Sequence, residues 1–306
     1  MAPAPLKIAI IGLGVMGMRH ARCVASHPDA TLAVLVDVDR ARRDAAVTEF
    51  GAACAETIGE IRGQADAAIV AVPTAAHAAI ATSLLGQGIP CLVEKPFVAS
   101  PAEGVRVAVA AKASGAALQI GHIERFNPAI MALFDRISDP SAVRAMTARR
   151  ISGASARVTD IDVVMDLMVH DIDVMLALKR QPVVHVDAKG DANHAEASIT
   201  FADASVADLT ASRIHPVRIR DLRVFLDNIG LEVDYIARSL TEIRTGDGGN
   251  AVTTSQPVHT GDALVSQLDA FIAATRGDNI IVPATDALAV MDVAWRVQAA
   301  LGLPTP

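Results

Sequence analysis

Cysteine is scarce in this chain. Cys23, Cys54 and Cys91 are odd in number and widely spaced. They fit neither a disulfide framework nor a zinc-ligand pattern, and they read as small buried hydrophobes in a reducing compartment. Positive charge is short as well: 27 Lys+Arg stand against 34 Asp+Glu, a net charge of −7. That argues against nucleic acid or an anionic membrane as partner, since either needs a basic face. A local basic patch for a phosphorylated small molecule stays compatible with it. Long apolar runs are missing, and no stretch reaches the roughly 18 residues of a membrane span. The opening MAPAPLKIAIIG has no cationic n-region and leads into glycines instead of a cleavage site, so a cytoplasmic location is expected.

What is present is a core. Of the 306 residues, 52% are hydrophobic and 20% charged. That composition folds, and about 150 residues per domain gives two domains. Of the 58 alanines, 35 precede residue 151, so the first half is expected to be richer in helix. There, apolar runs at Lys7–Ile11, Thr31–Val38, Ala67–Val72, Pro90–Val93 and Ala117–Ile120 alternate with helical stretches. Alternation of this kind, with strands too apolar for a solvent face, predicts an α/β doubly wound parallel sheet. The second half alternates apolar and polar residues over seven candidate strands between Val143 and Arg244. Turn sequences at Asp203–Ser205 and Asp227–Gly230 predict hairpins. Thr245–Asn250 reads as a mobile loop, and helices at Leu264–Thr275 and Thr285–Ala300 close the chain. The expected architecture is a Rossmann domain over residues 1–121 and a largely antiparallel open-sheet domain over 122–306. The C-terminal helices are expected to pack back on the first domain. An open sheet needs its face covered, so a homodimer or homotetramer built through that sheet is expected.

The loop Gly12-Leu-Gly14-Val-Met-Gly17 sits where a strand ends and a helix begins. Gly12 would permit the tight turn, Gly14 the approach of a pyrophosphate, and Gly17 the packing of helix on sheet. The N–H groups opening the helix would meet the phosphates. Asp37 lies 20 residues beyond Gly17, where an acid accepts from ribose hydroxyls and repels a 2′-phosphate. This favours NAD over NADP, although Arg40 is near.

Val163–Lys179 reads as a helix apolar nearly all round and therefore buried. Asp166, His170 and Asp173 nonetheless fall at i, i+4 and i+7 on one stripe. An Asp–His pair at that spacing can raise the basicity of the imidazole, as a general base requires. A buried polar network is the plainer alternative. A metal site is a third, but no further Cys/His cluster completes it, so no metal is expected. Lys95 follows a strand in Glu94-Lys95-Pro96, where ligands of open parallel sheets bind. It is one of five lysines against 22 arginines.

Taken in order, Gly12-x-Gly14-x-x-Gly17, Val72-Pro73-Thr74 with His77, Glu94-Lys95-Pro96, Gly121-His122…Arg125-Phe126-x-Pro128 and Asp166-x-x-x-His170-x-x-Asp173 resemble the glucose–fructose oxidoreductase/inositol dehydrogenase (Gfo/Idh/MocA) family. GHIERFNPA and TDIDVVMDLMVHDIDVM are similar to its nucleotide-sugar branch, the UDP-N-acetylglucosamine 3-dehydrogenases. Met168 departs from the glycine that family members often carry two residues after the catalytic Asp. The resemblance implies hydride transfer from a sugar hydroxyl carbon to NAD, with Lys95, Asp166 and His170 catalytic. It implies cofactor contacts from Gly12, Gly14, Val15, Met16, Gly17, Asp37, Val72, Pro73, Thr74, His77, Glu94 and Lys95. Substrate contacts would come from Lys95, His122, Arg125, Asp166 and His170. Arg125, Arg149, Arg150 and Arg157 are candidates for holding a UDP-sugar pyrophosphate. The alternatives are a free-sugar or inositol dehydrogenase and a non-catalytic NAD-binding regulator.

Overall fold

The computed structural model describes residues 3–153, 161–246 and 249–306. The chain divides into two compact units, Met1–Ile123 with Leu264–Leu288, and Glu124–Ala263 with Ala289–Pro306.

The first unit is a parallel sheet of β1 (Leu6–Ile11), β2 (Ala30–Val36), β3 (Ala53–Ala55), β4 (Ala67–Val70), β5 (Cys91–Glu94) and β6 (Leu118–Gly121). Its strand order is β3-β2-β1-β4-β5-β6, the doubly wound order of dinucleotide-binding sheets. The central strands are buried on both faces: Ile8, Ala9, Ile10, Ala67, Ala68, Ile69 and Val70 have no exposure. Four helices connect them: α1 (Val15–Ser26), α2 (Arg40–Phe50), α3 (Thr74–Leu85) and α4 (Pro101–Ser114). Their caps follow the sequence. Asp39 accepts from Ala41 and Arg42 N–H groups at the start of α2. Ser100 accepts from Glu103 N–H ahead of α4, with proline in its first turn. After an intervening stretch of more than 130 residues, the helix Ala263–Thr275 (α7) returns to this unit. Its Leu268, Phe271 and Ile272 join the core of Ile8, Ile10, Leu13 and Val24.

The second unit holds α5 (Pro128–Arg136), α6 (Val169–Lys179) and an eight-stranded sheet. The strands are β7 (Ala145–Ile151), β8 (Val183–Gly190), β9 (His194–Phe201), β10 (Val206–Ser212), β11 (Ile219–Phe225), β12 (Ile229–Asp234), β13 (Ser239–Thr245) and β14 (Ala251–Gln256). They run in the order β14-β13-β12-β11-β7-β10-β9-β8. Every pair is antiparallel except β7 with β10. The expected turns at Asp203–Ser205 and Asp227–Gly230 do join hairpins. One face carries Met146, Ala148, Leu209, Leu222 and Val224, all buried, where α5 packs on β12 and β13 and α6 on β7. The other face carries Thr147, Arg149, Ser198, Asp208, Thr210 and Arg223, all partly or wholly exposed. A last helix, α8 (Ala284–Ala300), ends the chain.

Two strands escape the sequence reading, β3 and β14. Asp247 and Gly248, in the segment expected to be a mobile loop, lie outside the described residues, as do Arg157 and the Thr159-Asp160 start of one family-like segment. No helix among the described residues is long and apolar enough to cross a membrane. Cys23 and Cys91 are buried and Cys54 half-buried, all as free thiols.

The C-terminal end of α6 is fixed by Lys179. Its side chain is fully buried, and its ammonium donates to the Val143 carbonyl at 2.6 Å and pairs with Asp203 at 2.6 Å. The hydrogen bond from Lys179 holds the Asp203 carboxyl down at about 2. A depressed carboxyl stabilises the fold above its unfolded pKa, about 4, and that contribution is lost as pH falls through the folded value. Thermal melting of the wild type should therefore lose stability between about pH 4 and pH 2. Asp203→Asn should be less stable at neutral pH and show a shallower fall over that window; parallel curves would remove Asp203 from the acid response.

Candidate active site

The glycine loop of the first unit fits a dinucleotide phosphate on three separate geometric grounds. Gly12 has φ +93°, and a side chain there would meet the Ala71 carbonyl at 2.6 Å. A Cβ on Gly17 would lie 1.7 Å from the Gly12 carbonyl oxygen, so the first turn of α1 closes on the loop only with glycine. Gly14, by contrast, has open space around it. It is the N-cap of α1, with no side-chain cap and no acidic residue in the first turn. The Val15, Met16 and Gly17 N–H groups are thus the orphan donors of a helix N-terminus, which suits an anion.

Asp37, 7% exposed, follows β2. One carboxylate oxygen accepts from the Leu13 N–H at 2.7 Å and the other from the Asp39 N–H at 2.8 Å. It therefore fixes the glycine loop. The arginines opening α2 are each engaged. Arg40 pairs with Asp44, Arg42 with Asp37 and Asp39, and the Arg43 guanidinium donates to the Asp37 and Val38 carbonyls.

Val72, Pro73 and Thr74 follow β4, and Thr74 opens α3. His77 was expected to touch the cofactor, but only 1% of it is exposed. Its Nε2 faces the Val72 carbonyl at 2.8 Å and its Nδ1 the Pro96 and Phe97 carbonyls at 3.0 and 3.2 Å. Burial pushes its pKa below the usual histidine value, so the neutral ring donates from one of these nitrogens. His77 clamps the turn after β4 to the turn after β5 from behind. Glu94 is likewise internal. Its carboxylate meets His20 Nε2 at 2.7 Å and accepts from the Lys95 N–H at 3.3 Å. Gly121 comes so close to Glu94 that a Cβ would lie 3.0 Å from its Cα. Lys95 itself is half-exposed, ahead of a cis peptide to Pro96. His122 is buried at the end of β6.

His20 was missed by the sequence reading. The signal for it is its spacing: with Gly17, Ala21 and Val24 it occupies the buried face of α1. A histidine on such a face needs a polar partner, and Glu94 supplies it.

In the second unit, the segment carrying Asp166 is not the regular helix that the spacing predicts. Val164–Met168 is a π-helical turn leading into α6. Asp162 caps it, accepting from the Val164 and Met165 N–H groups at 2.9 and 3.1 Å and from Gln298 at 2.6 Å. π turns close i→i+5 bonds and recur at functional sites. Met168, at the family's glycine position, is fully buried. Asp166 and His170 both retain partial exposure.

The expected stripe does not extend to Asp173. That residue is buried and receives two 2.8 Å hydrogen bonds from Arg125. Its neighbour Asp171 receives two 2.9 Å bonds from Arg150, whose third nitrogen donates to Glu124 at 2.8 Å. Arg150 is 1% exposed and lies 4.8 Å from the Tyr235 ring centroid. Arg150 is thus held inside the second unit and is corrected from a pyrophosphate candidate to an internal counter-ion. Arg125 is similarly engaged by Asp173, and Arg149 pairs with Asp221 on the exposed face. Glu124 and Arg125 of GHIERF are therefore joined by ion pairs to the Asp171 and Asp173 region of HDID. The two family-like segments form one buried assembly.

A dinucleotide-binding sheet with this second unit is the build of a two-unit dehydrogenase. The chain belongs to the Gfo/Idh/MocA oxidoreductase family, whose NAD-binding Rossmann fold matches residues 6–122. It is 31% identical over 280 residues, 88% of each chain, to the UDP-N-acetylglucosamine 3-dehydrogenase of Acidithiobacillus ferrooxidans. A solved structure of that enzyme superposes with a TM-score of 0.92 over 98% of both chains, at 28% identity. Inositol 2-dehydrogenase 1 of Saccharopolyspora erythraea is 28% identical over 94% of this chain and 92% of its own.

The three glycines have separable roles. Gly14→Ala should keep the wild-type melting temperature, because nothing stands where its Cβ would go, and should weaken dinucleotide binding. Calorimetric titration with NAD checks it; unchanged affinity would show that no ligand approaches Gly14.

Proposed function

We propose that this chain is an NAD-dependent dehydrogenase that oxidises the C3 hydroxyl of UDP-N-acetylglucosamine to the 3-keto sugar. The observation that carries the reading is the 31% identity to a UDP-N-acetylglucosamine 3-dehydrogenase across 88% of both chains. When bound, nicotinamide supplies the hydride acceptor, chemistry that belongs to the cofactor. The chain's own residues bind, orient and move the proton. The α1 N-terminus holds the pyrophosphate, and the Asp37 carboxylate faces the adenine ribose. The Asp37 carboxylate at the end of β2 supports NAD, since an acid there repels a 2′-phosphate.

Lys95 and His170 are the two groups that take or polarise the proton of the substrate hydroxyl, and Asp166 orients His170. Family motifs support these roles, as does the half-exposure of all three side chains. The buried aspartates of α6 are already matched by arginines and take no part. A second reading, oxidation of a free inositol, draws support from the 28% identity to an inositol 2-dehydrogenase over 94% of this chain.

Nicotinamide reduction by the purified protein, with a trap for keto sugars, separates the two readings. Signal with UDP-N-acetylglucosamine and NAD, and none with inositols or free hexoses, is the expected result. Signal with polyols alone would replace the substrate and keep the fold. Lys95→Met and His170→Asn should each lower kcat by about 10²–10⁴; near-wild-type turnover in either would withdraw that residue's role.

The exposed polar face of the second unit's sheet supports a homodimer or homotetramer, with Thr147, Ser198 and Thr210 at its centre. Light scattering at micromolar concentration should report two or four copies, and a monomer would reject the assembly.

A further inference from the structure

β11 and β7 pair antiparallel with Arg220 opposite Arg150. Directly opposed residues project to the same face of a sheet. That face is the one α6 covers, since Arg150 reaches Asp171 from it. Two guanidinium groups are therefore set side by side, an arrangement that repels unless each has its own anion. Arg150 has two, Asp171 and Glu124. Arg220 has none among the described residues: its Nε is buried and meets no acceptor.

The charges around Arg220 sharpen the imbalance. Arg150 and Arg218 are cationic neighbours, and the nearby carboxylates, Glu124 and Asp171, are those already gripped by Arg150. Burial, then Arg150 and Arg218, push the Arg220 guanidinium below its usual range. A half-buried cation with an unanswered donor is costly to hold. A ligand anion would answer both deficits at once. The position suits a substrate: Arg220 stands one strand from Arg150, which grips Asp171, the residue after His170.

We infer that Arg220 is an anion-binding residue that receives the diphosphate of the nucleotide sugar. This rests on the nucleotide-sugar reading above and supplies the phosphate contact that Arg150 is not placed to make. Arg218, exposed on the same strand approach, adds to the positive field.

The test is calorimetric titration of the full chain with UDP, uridine and inorganic pyrophosphate. Arg220→Met should weaken UDP and pyrophosphate binding by about 10- to 100-fold, the worth of a charge-assisted hydrogen bond. Uridine affinity should stay the same. The melting temperature should not fall, because the variant removes an unanswered charge. Arg220→Gln, which keeps much of the length and a neutral hydrogen-bonding amide but loses the charge, should show the same loss of UDP affinity if Arg220→Met does not fold. Equal UDP affinity in the wild type and a folded variant overturns the assignment of Arg220 alone. A wild type that binds no UDP overturns the nucleotide-sugar reading and this assignment with it.

Discussion

The buried ion network around Arg150 is the constraint on which the second unit depends. A guanidinium on β7 is matched by Asp171 on α6 and by Glu124 at the start of the unit. Removing one partner of such a group leaves a bare buried charge, a cost of about 3–5 kcal/mol. The network thus permits one rotation of α6 about its axis. With Arg125 and Asp173 paired alongside, the two inner carboxylates of the helix are consumed. The π turn and the first turn of α6 are then left presenting Asp166 and His170. Of the acids on this segment, Asp171 and Asp173 are engaged by Arg150 and Arg125.

The first unit uses close approach in place of charge. Gly12 and Gly17 each stand where another residue's backbone leaves no room for a side chain, and Gly121 packs tightly on Glu94. Into the resulting dense junction are set two polar clamps, His77 across three carbonyls and His20 on Glu94. Both lie behind the loops that carry Thr74 and Lys95. Buried, satisfied polar groups of this kind rigidify their surroundings, which is what a hydride donor and acceptor held in register require.

Much of this was legible in the sequence, for definable reasons. The parallel strands are apolar on both faces and end at glycine or proline, so composition and punctuation agree. The antiparallel strands alternate because one face is covered. β3 is three residues long and offers no period to read. β14, AVTTSQ, is an exposed edge strand whose residues have no buried side to mark. The π turn has no sequence signature, and it breaks the regular i, i+4 spacing between Asp166 and His170; Asp173 is set apart by its pairing with Arg125. Arg150 and His77 were assigned to ligands because polarity and position argue for a site. Only three-dimensional partners reveal that an internal acid or carbonyl has already claimed them.

The first unit is discontinuous along the chain, and this bears on how the protein is made. Ile8, Ile10 and Leu13 share a core with Leu268, Phe271 and Ile272, so a segment made before the second sheet waits for one made after it. Chains emerge at about 5–20 residues per second. For many seconds, therefore, the nascent Rossmann sheet lacks the wall that α7 provides, while every strand of the second sheet is already available to fold. The first unit is complete only after every strand of the second sheet has been made.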